Sequence, residues 1–252
     1  MRISSSRPAG SRRFFIPVMM ILQLIITACA GSVPLSAQAV WAEADYDRVG
    51  LDDFRKEPLF LEKIDFNNID YPRLHAAIFY ATNEIRRKHK LPVLEYAPQL
   101  ERAAAGHARR MVEKKFFSHT DNTDRRYRNP NARGRLAGIA NPFLAENIAD
   151  TFGITYRPGN NVFPRRGQPG SFSYTADGPL IPPHTYLSFA DAVLDIWMNS
   201  SGHRANILSK NDLQLGCGAY FYRDPSFFQI ARFKAVQNFQ WFKKVVPGPA
   251  ED

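Results

Sequence analysis

The chain has 252 residues, of which 44% are hydrophobic and 23% are charged. This length suits one sizeable hydrophobic core, and the balance excludes wholesale disorder. Two cysteines are too few for a disulfide scaffold or a four-cysteine zinc site. The formal charge is +9, but residues 1–39 hold four arginines and no acid, so the remainder has 29 basic and 24 acidic residues and a charge of +5. Such a surplus favours anionic surfaces without requiring nucleic acid.

Residues 1–39 have the pattern of an export signal. The basic pair Arg12-Arg13 precedes an apolar run, and Ala37 and Ala39 fit the small residues that signal peptidase needs for a cut before Val40. Residues 11–16 resemble a twin-arginine export motif. The segment ending at Cys29 resembles a bacterial lipobox, so the alternative is cleavage before Cys29 and a tether to the membrane through lipid on that cysteine. We therefore expect an extracytoplasmic protein that is periplasmic, secreted or envelope-anchored.

Hydrophobic periodicity divides the rest of the chain into a lead-in segment at 40–71, a main domain at 72–243 and a C-terminal tail at 244–252. Within the main domain the pattern predicts helices that start at Pro72 and Pro98, and a third helix over Ser188–Asn199. Strands are predicted over Leu213–Ala219 and Phe227–Phe239, joined by a turn at 223–226. Helices followed by strands indicate an α+β layered domain.

Two segments of the main domain lack such periodicity. Residues 156–183 contain six prolines and four glycines, which predicts an inserted loop or lid. Residues 121–136 carry five arginines and are predicted to form a loop. That loop is either a solvated surface with salt bridges or a contact for anionic envelope polymers or lipid headgroups.

Two isolated residues are interpreted as parts of the core. His107 borders the apolar stripe of the second helix, which favours a core or groove-lining histidine. Cys217 lies in an apolar, strand-like segment with no histidine or cation beside it, so we expect a small buried hydrophobe rather than a reactive thiol.

Polar side chains interrupt otherwise apolar stretches of the sequence at a few places, and these side chains are the candidate functional residues. His119 follows two aromatic residues, Glu146 and Asn147 lie inside an apolar run, and Ser201 and His203 follow the end of the third helix. The distance along the chain between His119 and His203 matches no compact zinc motif.

Taken together and in order, these segments resemble the signatures of the CAP superfamily, which includes cysteine-rich secretory proteins, venom antigens and plant pathogenesis-related proteins, in its bacterial form. The resemblance covers roughly residues 74–240, with 156–183 as an insertion. It rests on six segments: Asn83–Arg86, Leu91–Leu94, Phe117–His119, Ala145–Ala149, Ser201–Leu208 and Val236–Phe239.

The resemblance implies a three-layer α-β-α sandwich of the CAP type in which His119, Glu146 and His203 converge on an open cleft, with Asn147 and Ser201 beside them. Two departures matter. Thr82 replaces a histidine found in many eukaryotic members, and Ser200 stands where those members have a second acidic residue in the cleft.

Two imidazoles and one carboxylate can ligate a divalent cation that keeps open positions for water. This donor set favours Zn²⁺ over Ca²⁺ or Mg²⁺, and its affinity should fall below about pH 6.5, where histidine becomes protonated. The alternative is a metal-free network of His119, Glu146 and His203 that fixes the shape of the cleft.

Two functions compete. The resemblance favours a non-catalytic envelope protein whose cleft binds a lipid, glycan or protein ligand. The alternative is a hydrolase of peptidase or esterase type, in which the His/Glu cleft activates a metal-bound water or His203 serves Ser200 or Ser201 as nucleophile. No Gly-x-Ser-x-Gly elbow occurs. Nucleic acid is not an expected partner, because export argues against it and Tyr127 is the only aromatic residue in the basic segment.

Overall fold

The computed structural model describes residues 40–250, and these form an α+β fold. The predictions for residues 1–39, including the signal peptide and the lipidated Cys29, lie outside the described residues. The helices are α1 (Asp45–Arg48), α2 (Pro58–Leu61), α3 (Tyr71–Lys88), α4 (Pro98–Glu113), α5 (Pro130–Leu136), α6 (Tyr186–Met198) and α7 (Ser201–Ile207). The strands are β1 (Glu95–Tyr96), β2 (Leu144–Phe152), β3 (Phe163–Pro164), β4 (Phe172–Ser173), β5 (Asp212–Asp224) and β6 (Ile230–Trp241).

A four-stranded sheet in the order β1-β5-β6-β2 forms the middle layer. Strand β1 pairs parallel with β5, and the other neighbours are antiparallel. The predicted boundaries of the last two strands are wrong. Strand β5 continues past Ala219 because aromatic residues that favour strands follow, and β6 begins only at Ile230 because Pro225–Phe227 forms a 3₁₀ turn and Phe228 has a positive φ of 49°.

Helices cover both faces of this sheet. Alternate residues of β5 such as Leu215 and Cys217 pack into the core beneath α3 and α6, whereas Ile148 and Val236 pack against α4 on the opposite face. Side chains alternate between faces along a strand, so the two sets belong to separate cores. The arrangement is the three-layer α-β-α sandwich that the sequence predicts. Cys217 is a free cysteine and is buried, which confirms its interpretation as a core residue.

Local capping explains where helices α3 and α6 begin. Asp70 caps α3 by accepting a hydrogen bond from the backbone N–H of Arg73, and a proline in the first turn fits there. Helix α6 starts at Tyr186, two residues earlier than predicted, because Thr185 and Ser188 form a reciprocal capping box.

The lead-in segment 40–71 packs on the domain through large apolar side chains. Trp41, Phe54 and Phe60 are each at most 2% exposed and belong to the same core as α3 and α6. The tail also contacts the domain, because the backbone of Ala140 donates to Val246 and that of Gly248 donates to Gly138.

The insertion 156–183 contains the two-stranded sheet of β3 and β4 and contributes to a small apolar cluster. Phe172 and Ile181 of the insertion pack with Ile230 at the start of β6, and the N–H of Gly170 donates to the carbonyl of Phe228. These contacts hold the insertion against the β5–β6 hairpin, which lies at the other end of the sheet from Glu146.

Candidate functional site

Glu146 is the buried centre of the site. It lies near the start of β2, and its side chain is 1% exposed. His119 Nδ1 lies 2.9 Å from Oε1, and a guanidinium nitrogen of Arg133 lies 2.7 Å from Oε2. Burial alone would raise the pKa of Glu146, but the hydrogen bond to His119 and the positive charge of Arg133 outweigh burial and hold this pKa below its ordinary value. The carboxylate is therefore charged and fully engaged.

Arg133 corrects the prediction for the basic segment. Residues 130–136 form helix α5 rather than a loop, because Asn129 caps Ala132 and Pro130 occupies the first turn. The side chain of Arg133 is only 2% exposed, so for this residue the solvated-surface interpretation is wrong. Besides Glu146, its guanidinium donates to the backbone carbonyls of His119 and Tyr127. Arg133 thus fixes both the carboxylate and the loop that carries His119.

His107 on α4 completes the buried part of the site. It is fully buried, its Nε2 lies 3.0 Å from the Ser118 carbonyl oxygen, and the same nitrogen lies 3.9 Å from Glu146 Oε1. Burial lowers the pKa of His107 to about 4, against the opposing effect of Glu146. The core interpretation of His107 is confirmed, but its position beside Glu146 was not predicted, because spacing on one helix says nothing about a distant strand.

His119 is the part of the site that faces solvent. Its side chain is 49% exposed, whereas the carboxylate behind it is sealed. The bond from Nδ1 to Glu146 fixes the orientation of the ring, and Nε2 has no hydrogen-bond partner within residues 40–250. A carboxylate behind an exposed imidazole makes that ring a stronger acceptor and a better ligand.

His203 is close enough to His119 for an electrostatic interaction, and its side chain makes no hydrogen bond to Glu146. Burial, followed by the charge of the neighbouring His119, lowers the pKa of His203. Its Nδ1 is buried and has no partner among the described residues, so no hydrogen bond joins it to Ser200 or Ser201. The structure therefore brings His119 together with Glu146 and places His203 within electrostatic range of His119. Ser201 is exposed at the first turn of α7.

Asn147 positions His203 instead of facing solvent. It is fully buried, and its amide nitrogen donates to the backbone carbonyl of His203 and to Gln237 Oε1. Its oxygen accepts from Asn206 at 2.8 Å. This chain of amides ties helix α7 to the sheet, which explains why polar residues occupy an apolar strand.

The donor set does not fit the expected three-ligand metal site. Both oxygens of Glu146 are engaged, one by His119 and the other by the guanidinium of Arg133. Among residues 40–250, no group of three or more His, Cys, Asp or Glu side chains is arranged to hold a metal ion. The two imidazoles of His119 and His203 are the remaining donors, with Glu146 as a hydrogen-bond partner of one ring.

His107 gives a testable pH dependence of stability. The unfolded state binds a proton near pH 6.5 and the folded state only near pH 4, so the stability that neutral His107 contributes is complete above pH 6.5 and is lost as the pH falls toward 4. The expected loss is about 3 kcal/mol. We expect His107→Gln to reduce the slope of unfolding free energy against pH in urea titrations. His184, whose pKa is also about 4, still contributes in that variant. An unchanged slope would contradict the assignment.

A comparison with known protein families identifies the family of this chain. The profile of the cysteine-rich secretory protein family, CAP, matches residues 79–239. The chain belongs to the CAP family. That match includes His107, His119, Arg133, Glu146 and His203, so the whole site lies inside the CAP domain.

Individual relatives are more distant. The chain is 28% identical to the Bacillus subtilis protein YkwD over 138 residues. This alignment covers 54% of this chain and 38% of YkwD. An extracellular SCP-domain protein of Bacillus anthracis is 25% identical with a TM-score of 0.45, over 69% of this chain and 42% of that one. An outer surface protein of Borrelia burgdorferi is 17% identical with a TM-score of 0.41, over 71% and 98%. The chain thus spans less than half the length of YkwD and of the B. anthracis protein.

Within residues 40–250, every helix is too short or too polar to cross a bilayer.

Proposed function

We propose that this CAP-domain protein is an exported bacterial envelope protein that binds a lipid, glycan or protein ligand through His119 and His203, with the carboxylate of Glu146 orienting His119. Export is supported by the pattern of residues 1–39, and mass spectrometry of the mature N-terminus distinguishes cleavage before Val40 from cleavage before Cys29.

One observation carries the proposal: a half-exposed imidazole is held by a carboxylate that solvent does not reach. The protein orders Glu146 with Arg133 and His107, and it anchors His203 through Asn147. This much buried polar structure is expensive unless every group is satisfied. A loop histidine that served only solubility would need no buried partners. The buried groups that hold His119 and His203 in place therefore favour a ligand at the two rings.

Ligand binding is tested by following the ring resonances of His119 and His203 by NMR. Three probes represent the three classes: vesicles of anionic phospholipid, soluble peptidoglycan fragments and short extended peptides. We expect one class of probe to shift the ring resonances of both histidines in the wild type. The same probe should bind about 10-fold more weakly to His119→Ala. The exposed variant Arg135→Met is the matched control. If none of the three probes shifts either ring, the proposal fails.

A hydrolase is the second candidate, and the distance of 2.9 Å from His119 Nδ1 to Glu146 favours it, because a carboxylate that orients an imidazole is the arrangement of a general base. Against the serine version, His203 Nδ1 has no partner within residues 40–250. Turnover of p-nitrophenyl esters or peptides by the wild type that disappears in His203→Ala, while ligand binding persists in the same variant, would favour hydrolysis.

We further propose that Zn²⁺, as an accessory ion, uses only the two imidazoles, with Glu146 orienting His119. Two nitrogen donors with water bind more weakly than a closed four-ligand site. After dialysis against Zn²⁺, elemental analysis should find at most one ion per chain in the wild type and none in the His119→Ala/His203→Ala variant, whereas His107→Gln should retain it. Equal Zn²⁺ in wild type and double variant would contradict the assignment.

A further inference from the structure

Strand β2 is one of the two outer strands of the four-stranded sheet, and half of its backbone groups face away from β6. The carbonyl of Ala231 accepts from the N–H of Gly153, and Phe143 accepts from Trp241. Directly paired residues alternate between hydrogen-bonded and non-hydrogen-bonded pairs in an antiparallel ladder, so the odd-numbered residues of β2 bond to β6. The N–H and C=O groups of Ile148, Asp150 and Phe152 therefore point outward.

This outer edge is closed at both ends and open between them. At one end, the side chain of Asn206 on α7 donates to the carbonyl of Glu146 at 3.4 Å. At the other end, the carbonyl of Gly153 accepts from His184 at 2.9 Å, and the N–H of Thr155 donates to Pro182. Within residues 40–250, no backbone hydrogen bond reaches Ile148, Asp150 or Phe152 from the open side. The free stretch 147–152 is roughly 20 Å long.

A groove of about 600 Å³ lies against the open part of the edge. One wall is formed by Asp150–Phe152 of the strand and the other by the C-terminal half of α6, including Ala192, Asp195 and Ile196. The α6 wall is apolar at Ile196, which is 42% exposed, and acidic at Asp195. Asn199, which also lines the groove, precedes helix α7, which carries His203.

The charges around the groove define the occupant further. Asp150 is engaged by Tyr222 and Arg232, and burial lowers the pKa of His184 to about 4, so this histidine is neutral. Asp195 is exposed and forms no salt bridge among residues 40–250. The remaining charge is negative, which suits a basic side chain in the ligand.

We infer that this groove binds an extended polypeptide, which adds to the sheet as a fifth strand along β2, places an apolar side chain against Ile196 and a basic side chain beside Asp195. Free edge groups give affinity through main-chain hydrogen bonds, and the pocket gives selectivity through alternate side chains. This inference rests on the proposed function and names the polypeptide as its ligand class.

The test uses the capped pentapeptide acetyl-Thr-Val-Lys-Val-Thr-amide and amide hydrogen exchange measured by NMR. Binding should slow exchange about 10-fold or more at Ile148, Asp150 and Phe152, and leave the already paired Ala149 and Thr151 unchanged. A peptide that is N-methylated on the edge facing β2 should lose binding, whereas methylation on the opposite edge should not affect it. Unchanged exchange at the three amides overturns the inference, and so does protection that appears only through self-association of the protein.

Variants of the α6 wall supply the second readout, with controls of the same chemistry elsewhere on the surface. Ile196→Asp should weaken peptide binding about 10-fold and Asp195→Lys about 5-fold. Val246→Asp and Asp177→Lys, at exposed positions outside the groove, should not change it. At saturating peptide, His119→Ala should still show the amide protection, although it binds about 10-fold more weakly. If the peptide protects the β2 amides but does not shift the ring resonances of His119 and His203, the role of the two histidines is refuted and the edge site stands. If the ring resonances shift without amide protection, the edge site is refuted and the role of the histidines stands.

Discussion

Replacing Arg133 by methionine is expected to lower the free energy of unfolding by about 3–5 kcal/mol, because it leaves the charge of Glu146 buried without its main cationic partner. Arg133 is the guanidinium that lies 2.7 Å from Oε2, and it also holds the backbone carbonyl of His119. Asn238, with its amide oriented to donate, lies 3.2 Å from the same oxygen, but a neutral donor cannot replace the lost charge. The pKa of Glu146 should rise as well, so the variant should be less stable at neutral than at acidic pH relative to wild type.

Urea unfolding of a double-mutant cycle checks this expectation. The second variant is Glu146→Gln, and the double variant Arg133→Met/Glu146→Gln should recover part of the loss because it contains no buried charge at this position. Arg135→Met, which removes an exposed arginine from the same helix, should change stability by less than about 0.5 kcal/mol. Additive losses in the cycle would show that the two groups do not interact.

Gly218→Ala is expected to cost about 3 kcal/mol or more, because strand β5 and helix α4 touch backbone to backbone at this position. A Cβ at Gly218 would lie far inside van der Waals distance of the backbone of Ala104 and Ala105, and one at Gly216 would meet the backbone of Leu100 and Glu101. Backbone atoms of a helix cannot rotate away as a side chain does. The helix must shift, and with it His107.

Gly106 on α4 provides the matched control. A Cβ there would meet nothing within 4 Å, so Gly106→Ala should stabilise the protein by about 1 kcal/mol through the better helix propensity of alanine. Thermal or urea unfolding of both variants measures the difference. The spectrum of the His119 ring in Gly218→Ala should also change if α4 has moved. A Gly218→Ala protein of wild-type stability would show that the close approach of α4 and β5 is wrong.

Local features were predictable from the sequence where one residue type has one dominant local effect. Pro72 and Pro98 correctly marked the first turns of α3 and α4, since proline fits only there in a helix. The start of α6 was missed because its cap at Thr185 uses a serine at the third helical position. Helix α5 was missed because five arginines outweighed the cap at Asn129 and Pro130.

Some residues of the candidate site were likewise predictable from the sequence, and others were not. Ordered motifs identified His119, Glu146 and His203, and the family profile that matches residues 79–239 covers all three. Arg133 and His107 were not identified as partners of Glu146, although their residue types were visible. The sequence contained a usable indication only for Arg133. The helix cap at Asn129 predicts that Arg133 lies on a helix rather than in a loop.

The sequence alone determined the fold family, the α+β layering and the candidate site residues, because these depend on local periodicity and on the order of short motifs. Only the tertiary structure decided how Glu146 is used, because three segments from a helix, a loop and a second helix meet on one carboxylate and saturate it. The structure also decided that β2 keeps a free edge beside a groove, since the pairing of a strand depends on its neighbours in space and not on its own residues.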